Sequence, residues 1–175
     1  MKDTYTMFAK YNQAGNKAVY AIVDKLSPEE REQDRGSYYG SLSGMVRHLL
    51  GGTVFFQGLF RGALSGTALE VLAPVASITI PEGTLTDAQW KLLGSAFEVA
   101  DEALVKLVSG LTGADFNHPV PINWYGGNPP SVPLSFLLNQ LVVHGTHHRG
   151  QISQVLDAMK IDNDYSGIKV EFLGR

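Results

Sequence analysis

Apolar residues recur at three- and four-residue spacing in four long stretches of this chain, and prolines and glycines break the pattern between them. From Tyr5 to Leu26 the period runs through Phe8, Gly15, Val19, Ile22 and Leu26, with Asn12 as a polar residue on the same stripe. That spacing predicts an amphipathic helix. Ser27-Pro28-Glu29-Glu30 then reads as a fresh helix start, with a capping serine, proline at the first helical position and acids at the positive end of the dipole. Gly36 limits it to a short turn. A second long helix is expected from about Ser41 to Gly62, with Gly44, Met45, His48, Gly52, Phe55 and Leu59 along one face. Its glycines cost helix propensity and let a neighbouring backbone come close beside His48.

The segment from Ala63 to Leu85 holds no sustained period and contains Pro74, Pro81 and Gly83, so a long crossover loop is expected there. Thr86 and Asp87 open a third long helix, in which Trp90, Leu93, Phe97, Ala100, Leu104, Leu107 and Leu111 keep the period to Gly113. Residues Phe116 to Pro130 cannot be helical and suggest an ordered excursion with a short extended piece. The fourth helix runs from about Pro133 to Met159, followed by a tail from Asp162 to Arg175. No repeat or linker divides the chain, so residues 1–175 are expected to form a single domain. Four long helices with one long crossover predict an all-α four-helix bundle, whose ligands project inward from facing helices.

Composition narrows the chemistry. With 175 residues, 44% hydrophobic and 18% charged, the chain can bury a core without staples, and Cys is 0, so it supplies no thiolate nucleophile or Cys-ligated metal. The start lacks the character of a signal peptide, and no apolar run approaches the roughly 20 residues that span a bilayer. A soluble cytoplasmic protein without a membrane partner is expected. A net charge of -3 with 14 scattered Lys and Arg also argues against a nucleic-acid partner.

Against that background the histidines stand out. His144 and His148 are four residues apart in the seam formed by Leu137, Leu141, Gln151 and Val155, and His48 occupies the inner stripe of another helix. An i, i+4 pair lies roughly 40° apart around the axis, so both imidazoles can reach one ion. A third from a facing helix completes a divalent-metal site suited to zinc, nickel, copper or iron, with positions left for a small-molecule substrate. His147, roughly 60° from His144 on the other side, competes with His148 on geometry alone; the heptad spacing Leu141, His148, Val155 favours His148. Gln151 is placed to orient an imidazole or reach an outer-shell water. His147 and Asn12 are further outer-sphere candidates, and Asn12, Asn16, Trp124 and Tyr125 can rim a pocket. Arg149 should project away from the seam, and His118, before Pro119 in a loop, is left out of the site. Asp101 and Glu102 show no partner acid for a two-carboxylate centre.

The segments Gly40-Ser41-Leu42-Ser43-Gly44-Met45-Val46-Arg47-His48-Leu49-Leu50 and His144-Gly145-Thr146-His147-His148-Arg149-Gly150-Gln151-Ile152 resemble the two signature regions of the DinB/YfiT-like metalloenzyme family. Tyr11-Asn12 to Asn16, Asn123-Trp124-Tyr125-Gly126 and Asp164-Tyr165 extend the likeness over nearly the whole chain. The resemblance implies a four-helix bundle with a long crossover, usually a homodimer, that binds one zinc or nickel ion through His48, His144 and His148. It also implies a metal-activated low-molecular-weight thiol, such as bacillithiol or mycothiol, in a transferase or isomerase reaction. Thiol S-transfer is therefore the first functional reading, and no side chain stands out as a catalytic base. A non-catalytic dimeric metal-binding or stress-response protein and a metal-dependent hydrolase are the alternatives. Phe56, Phe60 and Phe97 are candidate subunit-interface residues.

Overall fold

Local chemistry sets the helix starts. Ser27 Oγ accepts the Glu30 N–H while the Glu30 carboxylate accepts the Ser27 N–H, and Thr86 and Gln89 make the same reciprocal pair. Ser41 Oγ accepts the Gly44 N–H at a third start. The computed structural model describes residues 1–173, and Tyr125 by its backbone only; the end of the expected tail, at Arg175, lies outside the described residues. Its helices are α1 (Lys2–Val23), α2 (Pro28–Glu32), α3 (Leu42–Ala63), α4 (Thr67–Leu72), α5 (Asp87–Gly110) and α6 (Leu134–Ala158). The short strands β1 (Pro119–Pro121) and β2 (Ser131–Pro133) pair antiparallel, with Val120 opposite Val132. The chain is mostly helical, α1 and α3 each lie against both α5 and α6, and no described helix is long and apolar enough to cross a membrane.

Several expectations need correction. The segment from Ala63 to Leu85 is not only loop: it holds α4 and a 3-10 turn, Pro74–Ser77, which bury Leu72 and Val75. Elements of one or two turns leave no period to detect. On α3 the buried stripe runs through Leu49, Thr53, Phe56 and Phe60, which leaves Phe55 at 50% exposure. Phe56, Phe60 and Phe97 belong to the chain's own core and offer nothing to a subunit interface.

The core has two apolar parts. One gathers Phe56, Phe60, Leu104, Leu107, Leu137 and Leu141 with Phe116 and Val120; the other gathers Val19, Leu42, Leu49, Trp90, Leu93 and Ile152. Along α1, α5 and α6 the residues between these parts are polar. Asn12 and Asn16 donate to Asp101 Oδ1 at 3.1 and 3.0 Å, while Arg149 Nη1 donates to Asn12 Oδ1 and Asn16 Oδ1 at 2.9 and 2.8 Å. Arg149 and Asp101 are each 2% exposed, so Arg149 points into the core rather than away from the seam. Burial raises the Asp101 carboxyl from 3.8 to about 7, against the opposing pull of Asn16, Arg149 and Asn12. Glycines make room for this network: a Cβ on Gly15 would lie 2.8 Å from Arg149 Nε, and one on Gly145 would lie 2.6 Å from Asn12 Oδ1.

Removing one member of a buried charge pair leaves the other uncompensated. Arg149→Met should therefore lower the urea unfolding free energy by about 3 kcal/mol or more. Lys106→Ala, which breaks only the exposed i, i+4 pair with Glu102, should leave it unchanged. Equal losses in the two variants would show that the buried network does not support the fold.

Candidate metal centre

Between the two apolar parts of the core, α3 and α6 bring three imidazoles together. His48 Nε2 lies 3.0 Å from His148 Nε2 and 3.1 Å from His144 Nε2. One potential ligand atom from each of the three histidines falls within a 4.8 Å span. His144 reaches inward because Gly52 of α3 has no side chain: a Cβ there would lie 2.6 Å from His144 Nδ1 and closer still to Cε1. Gly44 plays a related part, since its bare Cα admits the backbone carbonyl of Tyr39, whose carbon would lie 3.3 Å from a Cβ. Of the two close approaches expected beside His48, one is thus made by backbone and the other by an imidazole.

The surroundings fix much of the proton arrangement. His148 Nδ1 is 2.7 Å from Gln151 Oε1, which only accepts, so His148 carries its proton on Nδ1 and turns a bare Nε2 toward His48. His48 Nε2 also meets the Tyr39 hydroxyl at 2.9 Å, and the Tyr39 ring stacks on the His48 ring at 4.0 Å. A neutral ring nitrogen has one in-plane position, filled by either a proton or a lone pair. His48 Nε2 therefore cannot satisfy all three of its close neighbours by hydrogen bonding. Burial holds His48, His144 and His148 below the ordinary histidine range, with His144 lowered from 6.5 to about 4 by burial and then by its histidine neighbours. All three are neutral at pH 7, the form that ligates metal.

The remaining candidates are placed as follows. Gln151 orients His148. His147 is exposed, with its ring edge-on to His148 at 4.9 Å, and is not one of the three converging groups. Asn12 is taken up by Asp101 and Arg149, not by the histidines, and Asn16 shares that network. Trp124 packs on Phe55 and Phe56, and the Phe56 ring meets His144 at 6.1 Å. The Tyr125 side chain lies outside the described residues. His118 bonds the Ala63 carbonyl at 2.9 Å, away from the cluster, and Glu102 pairs with Lys106. Tyr39 is the contact the sequence reading missed. The one available signal was its place just before the α3 cap, from which a residue can fold back over the first turns of the helix.

The family model described as DinB family matches residues 1–159. No curated protein and no solved structure matches the chain.

Two outcomes follow from this geometry. Gly52→Ala should cost about 1–3 kcal/mol and shift the His144 ring resonances, through overpacking. Gly58→Ala, with open space beyond its Cα, should stabilise α3 slightly and leave those resonances in place; indistinguishable spectra for the two variants would contradict the packing of His144 on Gly52. The second outcome concerns pH. Between pH 6.5 and about 4 the unfolded chain binds a proton at His144 that the folded chain refuses. Stability from this group is present above pH 6.5 and is lost as pH falls toward 4. In metal-free protein the difference in urea midpoint between wild type and His144→Gln should shrink over that window, and this comparison cancels the opposite contribution of Asp101, which is lost as pH rises through about 7. A pH-independent difference would refute the buried neutral imidazole.

Proposed function

The chain belongs to the DinB family, and on that footing we propose that His48, His144 and His148 hold one divalent ion, zinc or nickel, in a metal-dependent thiol S-transferase. The observation that carries this reading is the convergence of three Nε2 atoms, one of them within 3.1 Å of both others, in a set that hydrogen bonds alone cannot satisfy. Nitrogen atoms at that spacing fit a shared first-row ion with bonds of about 2.0–2.1 Å. The donor set is three neutral imidazoles with no carboxylate, which suits zinc or nickel and leaves coordination positions for a small molecule. In the same reading the four long helices form a DinB-type four-helix bundle, a single domain that works in the cytoplasm as a homodimer.

The reaction is S-conjugation: the thiol gives up its proton, its sulfur bonds to an electrophilic carbon, and the departing group leaves with the displaced electron pair and takes up a proton. A divalent ion here would supply the stabilisation that keeps the sulfur as thiolate at neutral pH. Gln151 holds His148 in the tautomer that ligates through Nε2. Burial and the neighbouring Tyr38 raise Tyr39 above its ordinary range, so its hydroxyl stays protonated and can donate to a group entering beside His48. The Phe56 ring meets the His144 ring edge-on at 6.1 Å and gives the centre an apolar neighbour on that side. Because the chain has Cys 0, the sulfur must arrive with the small molecule.

Elemental analysis of untagged protein purified without added metal should find about one zinc or nickel ion per chain, lost in His48→Ala, His144→Ala and His148→Ala and kept in His118→Ala. Loaded wild-type protein should then conjugate a low-molecular-weight thiol to an aryl halide, and the three variants should not. Full metal content in any of the three would sink the ligand set. Stoichiometric metal without conjugation across a panel of thiols would replace the transferase with a non-catalytic metal-binding protein.

A further inference from the structure

Charge is spread unevenly over the helices. α1 and α5 turn Lys17, Lys91, Glu98, Glu102 and Lys106 to solvent. From Leu49 to Phe60, α3 has no Lys, Arg, Asp or Glu, and from Leu134 to Leu156, α6 has only Arg149, which is buried. These two helices run antiparallel, since His48 meets His148 while Gly52, one turn further along α3, meets His144, one turn back along α6. Phe55 therefore lies level with Val143, and Gly58 and Gly62 lie level with Phe136. Val143, Phe55 and Phe136 are 61%, 50% and 38% exposed, and a Cβ on Gly58 or Gly62 would meet nothing within 4 Å. His147 is exposed one turn beyond Val143.

Exposed aromatic and aliphatic side chains without charged neighbours have the composition of an interface core rather than of a solvated surface. A helix face that lies on lipid carries Lys and Arg along its polar side; α6 exposes Asn139, Thr146 and Gln154 there instead. Charge also selects among protein partners. Pressed against a face like that of α1 and α5, this one would desolvate charges that it cannot pair, whereas pressed against itself it strands none. The extent is sufficient. At 1.5 Å per residue the stretch from Phe136 to Gln154 is about 27 Å long, and two helices side by side are about 20 Å across. That footprint of roughly 500 Å² per copy reaches the total of about 1,000 Å² that a specific contact needs.

We propose that the outer face of α3 and α6 docks a second copy of this chain about a twofold axis, placing each copy over the histidine centre of the other. His147 shares the face and its ring meets His148 edge-on at 4.9 Å, while Phe55 packs on Phe56, whose ring meets His144. A small molecule that approaches the centre from this side then passes between two copies, and both shape its entrance. The docking deepens the homodimer reading above by assigning its face, and does not depend on which ion the histidines hold.

Sedimentation equilibrium of the metal-free chain tests it. Wild type should be a dimer at micromolar concentration. Val143→Glu, and independently Gly58→Glu, should weaken self-association at least about 100-fold with helical circular dichroism unchanged, because like charges then meet across the axis. Leu92→Glu, at a position 67% exposed on α5, should leave the dimer intact. Hydroxyl-radical labelling of Phe55, read by peptide mass, should be several-fold slower in the wild-type dimer than in the Val143→Glu monomer. A monomeric wild type would overturn both the contact and the homodimer reading. A dimer that survives both α3 and α6 variants, or equal labelling of Phe55 in dimer and monomer, would overturn this face and leave the homodimer standing.

Discussion

A cation and an anion buried in one protein interior attract strongly, but each loses its hydration, and the arrangement persists only when every lone pair and proton finds a partner. Here Arg149 and Asp101 meet through two carboxamides. Asn12 and Asn16 each turn an oxygen to the guanidinium and an amide nitrogen to the carboxylate, so both dipoles lie along the field between the charges. Three helices are thereby fixed in register at the level where their apolar stripes are interrupted. Tyr165 adds a bond from its hydroxyl to the Arg149 carbonyl, drawing the C-terminal tail onto the same place.

The histidine cluster depends on that register. His148 directly precedes Arg149, and His144 precedes Gly145, whose missing side chain admits Asn12. A slip of α6 by one residue would turn the helix by about 100° and carry both imidazoles out of reach of His48. The polar network sets the rotation of α6, and Gly52 on α3 sets how closely His144 can approach. Gln57 ties α3 to α5 by donating to the Ala100 carbonyl at 2.8 Å, so the helix that carries His48 is held at the same level.

This arrangement divides labour between rigid helices and a short shaped loop. Helices supply the three imidazoles and keep them neutral by burial. The segment from Arg35 to Gly40 supplies what touches the outside of the cluster, the ring and hydroxyl of Tyr39. Variation in such a loop can change which small molecule is held without disturbing the ligands.

Much of this was legible along the chain. Periodicity located the four long helices to within a few residues, since an amphipathic helix must repeat its apolar face, and the caps at Ser27, Ser41 and Thr86 could be read because capping is chemistry within one turn. The spacing of His144 and His148 on one face and the availability of His48 were legible for the same local reason. Contacts between residues distant in sequence were not. Arg149 reads as a surface residue until Asn12 and Asn16 from α1 satisfy it, and Asn12 reads as a site residue until Asp101 from α5 claims it. The outward turn of Phe55 and the burial of Phe56 depend on where α5 and α6 lie against α3. The sequence by itself determined which segments are helical and which side chains can ligate together, because those follow from spacing within a helix. Tertiary structure decided which polar groups satisfy one another, because a buried charge is stable only beside partners that other helices bring.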